Sequence, residues 1–351
     1  MKNESAESLR VEARSMKLVY TPDSITGYRR EKRGKNFTYY NTADEKITDE
    51  ETLQRIKRLA IPPAWTNVWI SPKENGHLQA TGNDVMGRKQ YKYHTLWSAV
   101  RNERKHNRMA EFAKALPLIR QQVEKDLRKK EFTKEKVVAI AISVIDKTFI
   151  RVGNSAYTKL YGSYGLTSLR NKHISISGGK MLIAFKGKKG VFQEIKVTEA
   201  WLARILTKLK DIPGQELFQY YDADGTKKSL ESGDINQYLE ACTGKDFTAK
   251  DFRTWWGTVI AAKFLAENST EAEAPLKKSV VETLDYVAGK LGNTRTVCRK
   301  YYVHPRLLSD YEEGKLDKYL NRLRKAKQMN GAQLKLEEKV IADFIAKECA
   351  P

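Results

Sequence analysis

The first hundred residues carry short apolar, β-favouring runs bounded by Gly, Asn and Pro. A helix at about 49–60 interrupts them, because Thr48 and Glu51 form a capping-box pattern and a Pro pair follows. The pattern predicts a small β-rich N-terminal domain at 17–100, after a flexible N-terminal tail at 1–16. The predicted strands are F-T-Y-Y-N (37–41), N-V-W-I-S (67–71) and H-L-Q-A-T (77–81).

Beyond residue 100 the apolar positions follow helical periods. The charged stretch 101–135 is predicted to be helical, with a linker or hinge near 95–108, and the Val-, Ile- and Ala-rich run 136–150 predicts a buried helix. Gly244 and Gly292 each stand where glycine commonly ends a helix. Further helices are predicted at 198–210, 234–243, 248–267, 275–291, 309–327 and 331–348.

A β island interrupts this helical half. Residues 166–176, 180–186 and 191–197 read as three strands joined by the turns S-G-G and G-K-K-G. The predicted fold class is therefore α+β: a small β-rich N-terminal domain and a larger, mainly α-helical domain at 101–351 that contains a three-stranded β-sheet.

The charge balance narrows the choice of partner. Lys and Arg number 64 against 43 Asp and Glu, which gives a net charge of +21 over 351 residues. Such an excess favours a polyanion, and nucleic acid is the better candidate. A basic membrane-surface protein is the alternative, but the chain shows no strongly amphipathic basic helix and no lipidation motif.

The sequence gives no positive indication of a membrane span, a secretion signal, a disulfide framework or a metal site. No apolar run approaches the roughly 18 residues of a membrane span, and the N-terminus lacks an apolar signal region. The three cysteines are widely spaced without a C-x-x-C pair, and the five histidines lack metal-ligand spacing. We expect a cytoplasmic protein with no disulfide framework and no metal site.

The candidate chemistry begins in L-G-N-T-R-T-V-C-R-K-Y-Y-V-H-P (291–305). Asn293 stands nine residues before Tyr302, and three cationic residues lie between them. Nearby positive charge favours the phenolate form of a tyrosine, and arginines bind phosphoryl oxygens well. The stretch is therefore consistent with attack on phosphorus, although in isolation helix packing by the Tyr301–Tyr302 pair explains it better.

Three further cationic segments lie upstream. D-K-T-F-I-R-V-G-N-S-A-Y places Arg151 after an apolar helix, and A-K-D-F-R-T-W-W-G-T places Arg253 early in a long helix. F-K-G-K-K-G places Lys188 in a hairpin turn, where a lysine among other cations can act as a general acid. Taken singly, each has an ordinary reading: a surface ion pair, an amphipathic helix and a solvated turn lysine.

In order and together, the four segments resemble the catalytic domain of type IB DNA topoisomerases, most closely the small bacterial, poxvirus-like form. G-Y-R-R-E-K-R-G-K-N-F-T-Y-Y (27–40), A-I-P-P-A-W-T-N-V-W-I (60–70) and H-L-Q-A-T-G-N-D-V-M-G-R-K-Q-Y-K-Y-H (77–94) are similar to that family's N-terminal domain. The likeness covers about residues 18–310.

The resemblance implies a role for each matching position. Tyr302 is the expected nucleophile and Lys188 the expected general acid, while Arg151, Arg253 and Asn293 would stabilise the transition state. Tyr157 matches a position that contacts the DNA backbone. The expected major-groove or phosphate contacts are Arg88, Lys89, Gln90, Tyr91 and Tyr93.

The resemblance also implies a whole activity. The expected enzyme relaxes supercoiled duplex DNA through a 3′-phosphotyrosyl intermediate, strand rotation and religation, without ATP, metal or another cofactor. It would act as a monomer on the nucleoid, with its two domains forming a C-shaped clamp around the duplex.

Two alternatives remain at this point. A tyrosine recombinase shares this chemistry, but recombinases usually have His three residues before the second arginine, where this chain has Lys250. A non-catalytic basic DNA-binding protein fits the composition, but it does not explain five catalytic-type residues in the family's order.

Overall fold

The computed structural model describes residues 5–348 except 35, 178–179, 269–275 and 328–332. It also leaves out the side chains of residues 103–107, 155–157, 189, 327, 333–335 and 347–348. The chain divides into two compact units, Met1–Lys105 and His106–Pro351. The described part of the chain contains helices and small antiparallel sheets, as the α+β prediction required.

The first unit is built on one antiparallel sheet. Its strand order is β2-β1-β3-β4-β5, so β5 lies at an edge. The helix α2 carries Ile56 into a small core with Val68, Ile70 and Ala80. The elements of this unit are α1 (Ala6–Ser15), β1 (Tyr28–Arg33), β2 (Asn36–Tyr40), α2 (Glu50–Arg58), β3 (Thr66–Ile70), β4 (Leu78–Asn83) and β5 (Lys89–Tyr93).

Several local predictions need correction here. Residues predicted to be a flexible tail form α1, whose Ala13 is fully buried beside Leu18 and Trp97. The cap of α2 is Asp49, which accepts a hydrogen bond from the Thr52 N–H at 2.8 Å, and not Thr48. The strands β1 and β5 were not predicted, because charged residues obscure their alternation.

The second unit is mainly helical, and its first helix, α3, begins within the first unit at Thr95. The helix α3 is continuous through the predicted linker at 95–108, and the predicted helix 309–327 is two helices separated at Gly314, whose φ is +70°. The helices are α3 (Thr95–Leu127), α4 (Lys134–Thr148), α5 (Ser155–Tyr161), α6 (Ala200–Lys210), α7 (Ser232–Thr243), α8 (Ala249–Asn268), α9 (Leu276–Leu291), α10 (Arg295–Tyr301), α11 (Pro305–Glu312), α12 (Asp317–Lys327) and α13 (Gln333–Glu348).

The predicted three-stranded sheet is confirmed in the second unit. It consists of β6 (Ile174–Ser177), β7 (Lys180–Lys186) and β8 (Phe192–Val197), antiparallel in that order. Its first strand is shorter than predicted, because short 3₁₀ turns occupy part of 166–173. A second hairpin was missed: β9 (Gln219–Tyr221) and β10 (Lys227–Ser229).

Two helices form the centre of the second unit. Nearly every residue of α4 is buried, and the middle of α8 is buried as well. Both helices therefore offer rigid supports for side chains at their ends. Within the described residues, no helix is long and apolar enough to cross a membrane.

Candidate active site

The end of α4 sets the position of Arg151. Phe149 adopts a left-handed backbone (φ 58°), which ends the helix and turns its carbonyl away from it. The Arg151 carbonyl then accepts a hydrogen bond from the Leu166 N–H at 2.8 Å. Gly153 and Gly165 pack so closely that a Cβ on Gly165 would lie 2.5 Å from the Gly153 Cα. Two glycines thus hold the loop that carries Arg151.

Arg253 lies in the first half of α8, and its side chain is directed into the protein. It is 5% exposed, and its guanidinium donates hydrogen bonds to the Phe149 carbonyl and, at 2.8 Å, to the Leu291 carbonyl. Burial lowers the pKa of Arg253, and the Tyr302 phenol opposes that shift. The end of α4, α8 and the end of α9 therefore meet at one guanidinium.

Arg151 and Asn293 are in direct contact. The Arg151 Nη2 donates to the Gly292 carbonyl at 2.7 Å and to the Asn293 Oδ1 at 2.6 Å. Gly292 has φ 59°, so it ends α9 in the left-handed conformation and directs Asn293 back toward Arg151. Burial, followed by the charge of Arg253, lowers the pKa of Arg151.

Tyr302 ends α10 and lies against α8. The Arg253 Cζ is 5.2 Å from the centroid of the Tyr302 ring. The Tyr302 carbonyl accepts a hydrogen bond from the Thr258 hydroxyl at 3.3 Å. A Cβ at Gly257 would lie 2.6 Å from that carbonyl oxygen, so the tyrosine backbone is seated where α8 has no side chain.

Lys188 lies in the turn between β7 and β8. Its side chain is exposed, and it lines a cavity of about 630 Å³ together with Arg151 and Arg253. Lys186 and Lys290 line the same cavity. Among the described contacts, Lys188 makes no hydrogen bond to the other candidate residues.

The structure thus brings four candidates together and places the fifth beside them. Arg151, Arg253, Asn293 and Tyr302 form one connected group, and Lys188 faces the cavity that adjoins it. Tyr157 belongs to α5, but its side chain lies outside the described residues.

The predicted DNA contacts of the first unit lie on or beside the edge strand β5. Lys89, Tyr91 and Tyr93 alternate on its exposed face, and the two tyrosine rings are stacked with centroids 5.9 Å apart. The Lys89 Nζ is 2.5 Å from an oxygen of Asp23. The ammonium group of Lys89 is therefore paired with the Asp23 carboxylate.

Arg88 and Gln90 are held by a second carboxylate. Asp84 Oδ2 accepts from Arg88 Nη2 at 2.6 Å and from Gln90 Nε2 at 3.0 Å. Its Oδ1 accepts from the backbone N–H groups of Met86 and Arg88 at 2.9 and 3.1 Å. The Arg88 side chain lowers the pKa of Asp84 despite partial burial of the carboxyl. Asp84 thus organises both the turn and two candidate contact residues.

Comparison with known proteins identifies the family. The model of the eukaryotic DNA topoisomerase I catalytic core matches residues 92–330, and that of the bacterial DNA topoisomerase IB N-terminal domain matches residues 36–84. DNA topoisomerase 1B of Acanthamoeba polyphaga mimivirus is 32% identical over 297 residues, covering 82% of this chain and 88% of that protein. The chain belongs to the type IB DNA topoisomerases.

Other relatives are more distant. DNA topoisomerase I of Monkeypox virus is 26% identical over 285 residues, covering 79% of this topoisomerase and 87% of that protein. A solved structure of XerH site-specific recombinase bound to palindromic difH substrate covers 58% of this chain and 51% of that one, with 17% identity and a TM-score of 0.37. A structural likeness of that size supports no argument about this topoisomerase.

Sequence reasoning missed the parts of the topoisomerase site that are not catalytic-type side chains. The carbonyls of Phe149, Leu291 and Gly292 hold the two arginines, and backbone acceptors have no residue signature. Asp84 could have been found, because Asp followed by Gly three residues later is typical of a tight turn. Among the described residues, no group of three or more His, Cys, Asp and Glu side chains is arranged to hold a metal ion.

Proposed function

We propose that this topoisomerase relaxes supercoiled duplex DNA through a covalent intermediate on Tyr302. Tyr302 gives up its phenolic proton to water and its oxygen attacks a backbone phosphorus. The 5′ oxygen leaves and is protonated to a 5′-hydroxyl, and a 3′-phosphotyrosyl bond remains. The observation that carries the proposal is the Arg253 guanidinium, 5.2 Å from the ring centroid of Tyr302, in a group that also contains Arg151 and Asn293.

Three side chains would stabilise the transition state. Attack on the phosphodiester builds negative charge on its non-bridging oxygens, and preplaced donors are most effective where that charge develops. Arg151 and Arg253 supply planar donors of fixed charge, which bind phosphoryl oxygens well. Asn293 adds an uncharged amide, and its contact with Arg151 at 2.6 Å keeps the two side chains in register before DNA arrives.

The leaving oxygen needs a proton. Lys188 is the proposed general acid, with Arg151 as a second member of the relay. Its turn lines the cavity next to Arg151 and Arg253, and its exposed side chain has room to reach a bound strand. After strand rotation the same steps run in reverse. The 5′-hydroxyl gives its proton back to Lys188 and attacks the phosphorus of the phosphotyrosyl link, and the departing Tyr302 oxygen regains a proton from water.

The energetics require no nucleotide. One phosphoester replaces another in each step, so bond energy is kept in the adduct and torsional strain drives rotation. The arginines provide the positive charge that a metal ion supplies in other phosphoryl-transfer sites. We therefore propose relaxation that depends on neither ATP nor metal.

The first unit would bind the duplex through β5. The exposed Tyr91–Tyr93 stack and the basic residues beside it form a polar, cationic edge suited to a groove and its phosphates. We propose that this unit closes on the duplex opposite the catalytic unit, as a clamp, and that one copy of the chain suffices. The side chain of Tyr157 is proposed to contact the backbone near the cleaved bond.

Relaxation of plasmid DNA tests the proposal directly. Negatively and positively supercoiled plasmids without a recombination site are incubated in EDTA without ATP, with Tyr302→Phe as the variant and Tyr301→Phe as its matched control. We expect wild type and Tyr301→Phe to relax both signs, and Tyr302→Phe to relax neither while DNA affinity changes less than about twofold, because affinity depends mainly on phosphate contacts.

Two outcomes would contradict it. Relaxation by Tyr302→Phe would remove Tyr302 as the nucleophile. Tight binding by wild type, with neither relaxation nor a covalent protein–DNA adduct after detergent quench, would favour a non-catalytic DNA-binding role.

A further inference from the structure

A largely buried charge cluster joins three helices of the second unit, and its residues line a cavity other than the one that Lys188 lines. Arg120 of α3 donates to Asp146 of α4, with Nε–Oδ2 and Nη2–Oδ1 distances of 3.1 and 3.3 Å. The same guanidinium donates to Glu338 of α13, with Nη1–Oε2 and Nη2–Oε1 distances of 2.6 and 3.0 Å. One arginine thus ties the C-terminal helix to the end of α4.

The cluster is costly to bury and is well compensated. Asp146 and Glu338 are 9% and 7% exposed, and the Arg120 side chain that pairs with both is 32% exposed. Burial alone lowers the pKa of Arg120, but Glu338 and Asp146 together raise it above its ordinary value. Apolar residues of similar size would serve stability as well, so a buried ion cluster suggests a need for one defined geometry.

Asp146 connects this cluster to the proposed catalytic group. Its Oδ1 also accepts from the Trp256 indole N–H at 2.8 Å, which links α4 to α8. Three residues further along α4, the Phe149 carbonyl accepts from Arg253, three residues earlier on α8. The rings of Phe149 and Trp256 pack between the two links, with centroids 5.3 Å apart. Two cross-links with matching spacing therefore fix one helix against the other.

We propose that Asp146 is a positioning residue for Arg253, and that Arg120 and Glu338 hold Asp146 in place from α3 and α13. The C-terminal helix thereby contributes to the geometry of strand cleavage through α4 and α8. This inference depends on the proposed role of Arg253. It assigns a function to α13, which begins beyond the residues matched by the catalytic-core family.

The chain supplies a matched control on the same helix. Glu337, beside Glu338, forms an ion pair with Lys263 of α8 at 2.7 Å and is equally buried. Among the described contacts, this pair touches neither Asp146 nor Trp256 nor Phe149. Neutralising Glu337 therefore removes a comparable buried charge pair from the same helix without affecting the link to Arg253.

The test compares Glu338→Gln and Asp146→Asn with Glu337→Gln. Three quantities are measured: the single-turnover rate of covalent adduct formation on a DNA duplex whose cleavage releases a short strand, the Kd for the same duplex, and the Tm. We expect Glu338→Gln and Asp146→Asn to slow adduct formation about tenfold or more, because small displacements of a catalytic group are costly. Their Kd should stay within about twofold of wild type, since phosphate contacts are unchanged.

Glu337→Gln should lower the Tm about as much as Glu338→Gln does. It should leave the rate of adduct formation within about twofold of wild type. Equal slowing by Glu337→Gln and Glu338→Gln would overturn the inference, because it would show a general effect of loosening α13. Unchanged adduct rates in Glu338→Gln and Asp146→Asn would also overturn it. A wild type that forms no adduct would overturn the proposed function, and this inference with it.

Discussion

At the scale of single residues, the position of Tyr302 depends on a glycine in the helix that it packs against. Gly257 in the middle of α8 leaves room for the Tyr302 backbone, and Thr258, next along the helix, donates to the Tyr302 carbonyl. The Thr258 hydroxyl also accepts from the His304 N–H at 3.0 Å. A glycine and a threonine on α8 thus set the path of the chain on both sides of the proposed nucleophile.

Gly257→Ala is therefore expected to impair cleavage. Its Cβ would lie 2.6 Å from the Tyr302 carbonyl oxygen and 3.0 Å from the Tyr302 Cβ, so the backbone of Tyr302 must move. We expect a loss of about 1–3 kcal/mol in stability from overpacking, and an adduct rate reduced about tenfold or more. Thermal unfolding and single-turnover cleavage measure the two effects.

Gly233→Ala is the control, because Gly233 also lies in a helix and a Cβ there would meet nothing within 4 Å. It should retain full activity and lose no stability. Wild-type cleavage by Gly257→Ala would show that the close approach does not position Tyr302.

At the scale of elements, the sequence predicted the helices of the second unit well and the strands of the first unit only in part. The helix α4 was recognisable because eight of its fifteen residues are Val, Ile or Ala, and they form one nearly continuous apolar run. The strands β1 and β5 contain Y-R-R-E-K-R and K-Q-Y-K-Y, whose charged side chains hide the alternation. Their pairing with neighbouring strands, a tertiary effect, makes them strands.

The same limit applies to the site. The five candidate side chains stand in motifs that can be read from the chain, but the carbonyls that hold Arg151 and Arg253 belong to Phe149, Leu291 and Gly292. These acceptors are defined by how α4 and α9 end, and no residue type marks them. The cluster of Arg120, Asp146 and Glu338 spans 218 positions of sequence and was equally invisible.

The turn before β5 yields a prediction at this scale. Asp84 holds Arg88 and Gln90, so Asp84→Asn removes one negative charge and the Arg88–Asp84 ion pair beside the proposed DNA contacts. We expect tighter DNA binding at low salt. The slope of log Kd against log salt concentration should be steeper by about 0.9, the value for one additional phosphate contact. Affinities measured between low and physiological salt give this slope.

Asp222→Asn is its control, because Asp222 forms the same kind of turn. It accepts from the N–H groups of Asp224 and Thr226 at 3.1 and 2.8 Å and pairs with Lys228, but it lies in the second unit on the β9–β10 hairpin. A slope that changes equally in both variants would reflect net charge alone and would argue against a specific role for Asp84.

At the scale of the whole molecule, buried histidines occur in both compact units and share one arrangement. His77 Nδ1 accepts from the Thr21 N–H at 2.9 Å in the first unit, and His304 Nδ1 accepts from the Arg306 N–H at 3.3 Å in the second. A protonated imidazole has no acceptor nitrogen, so protonation would break each of these hydrogen bonds. Burial lowers the pKa of His77 and of His304 to about 4.

This arrangement predicts that both units lose stability in mild acid. The folded pKa of about 4 lies below the ordinary value of 6.5, so the unfolded chain takes up protons first as the pH falls. Stability is therefore complete above about pH 6.5 and declines toward pH 4, by at most about 1.4 kcal/mol per pH unit for each histidine. Urea unfolding between pH 7.5 and 4.5 measures the decline, and His77→Gln and His304→Gln measure the share of each of these two histidines.

Each variant should be less stable at pH 7.5 but should show a shallower decline of stability with falling pH below pH 6.5, because glutamine does not titrate. A slope unchanged in both variants would mean that other groups cause the acid sensitivity.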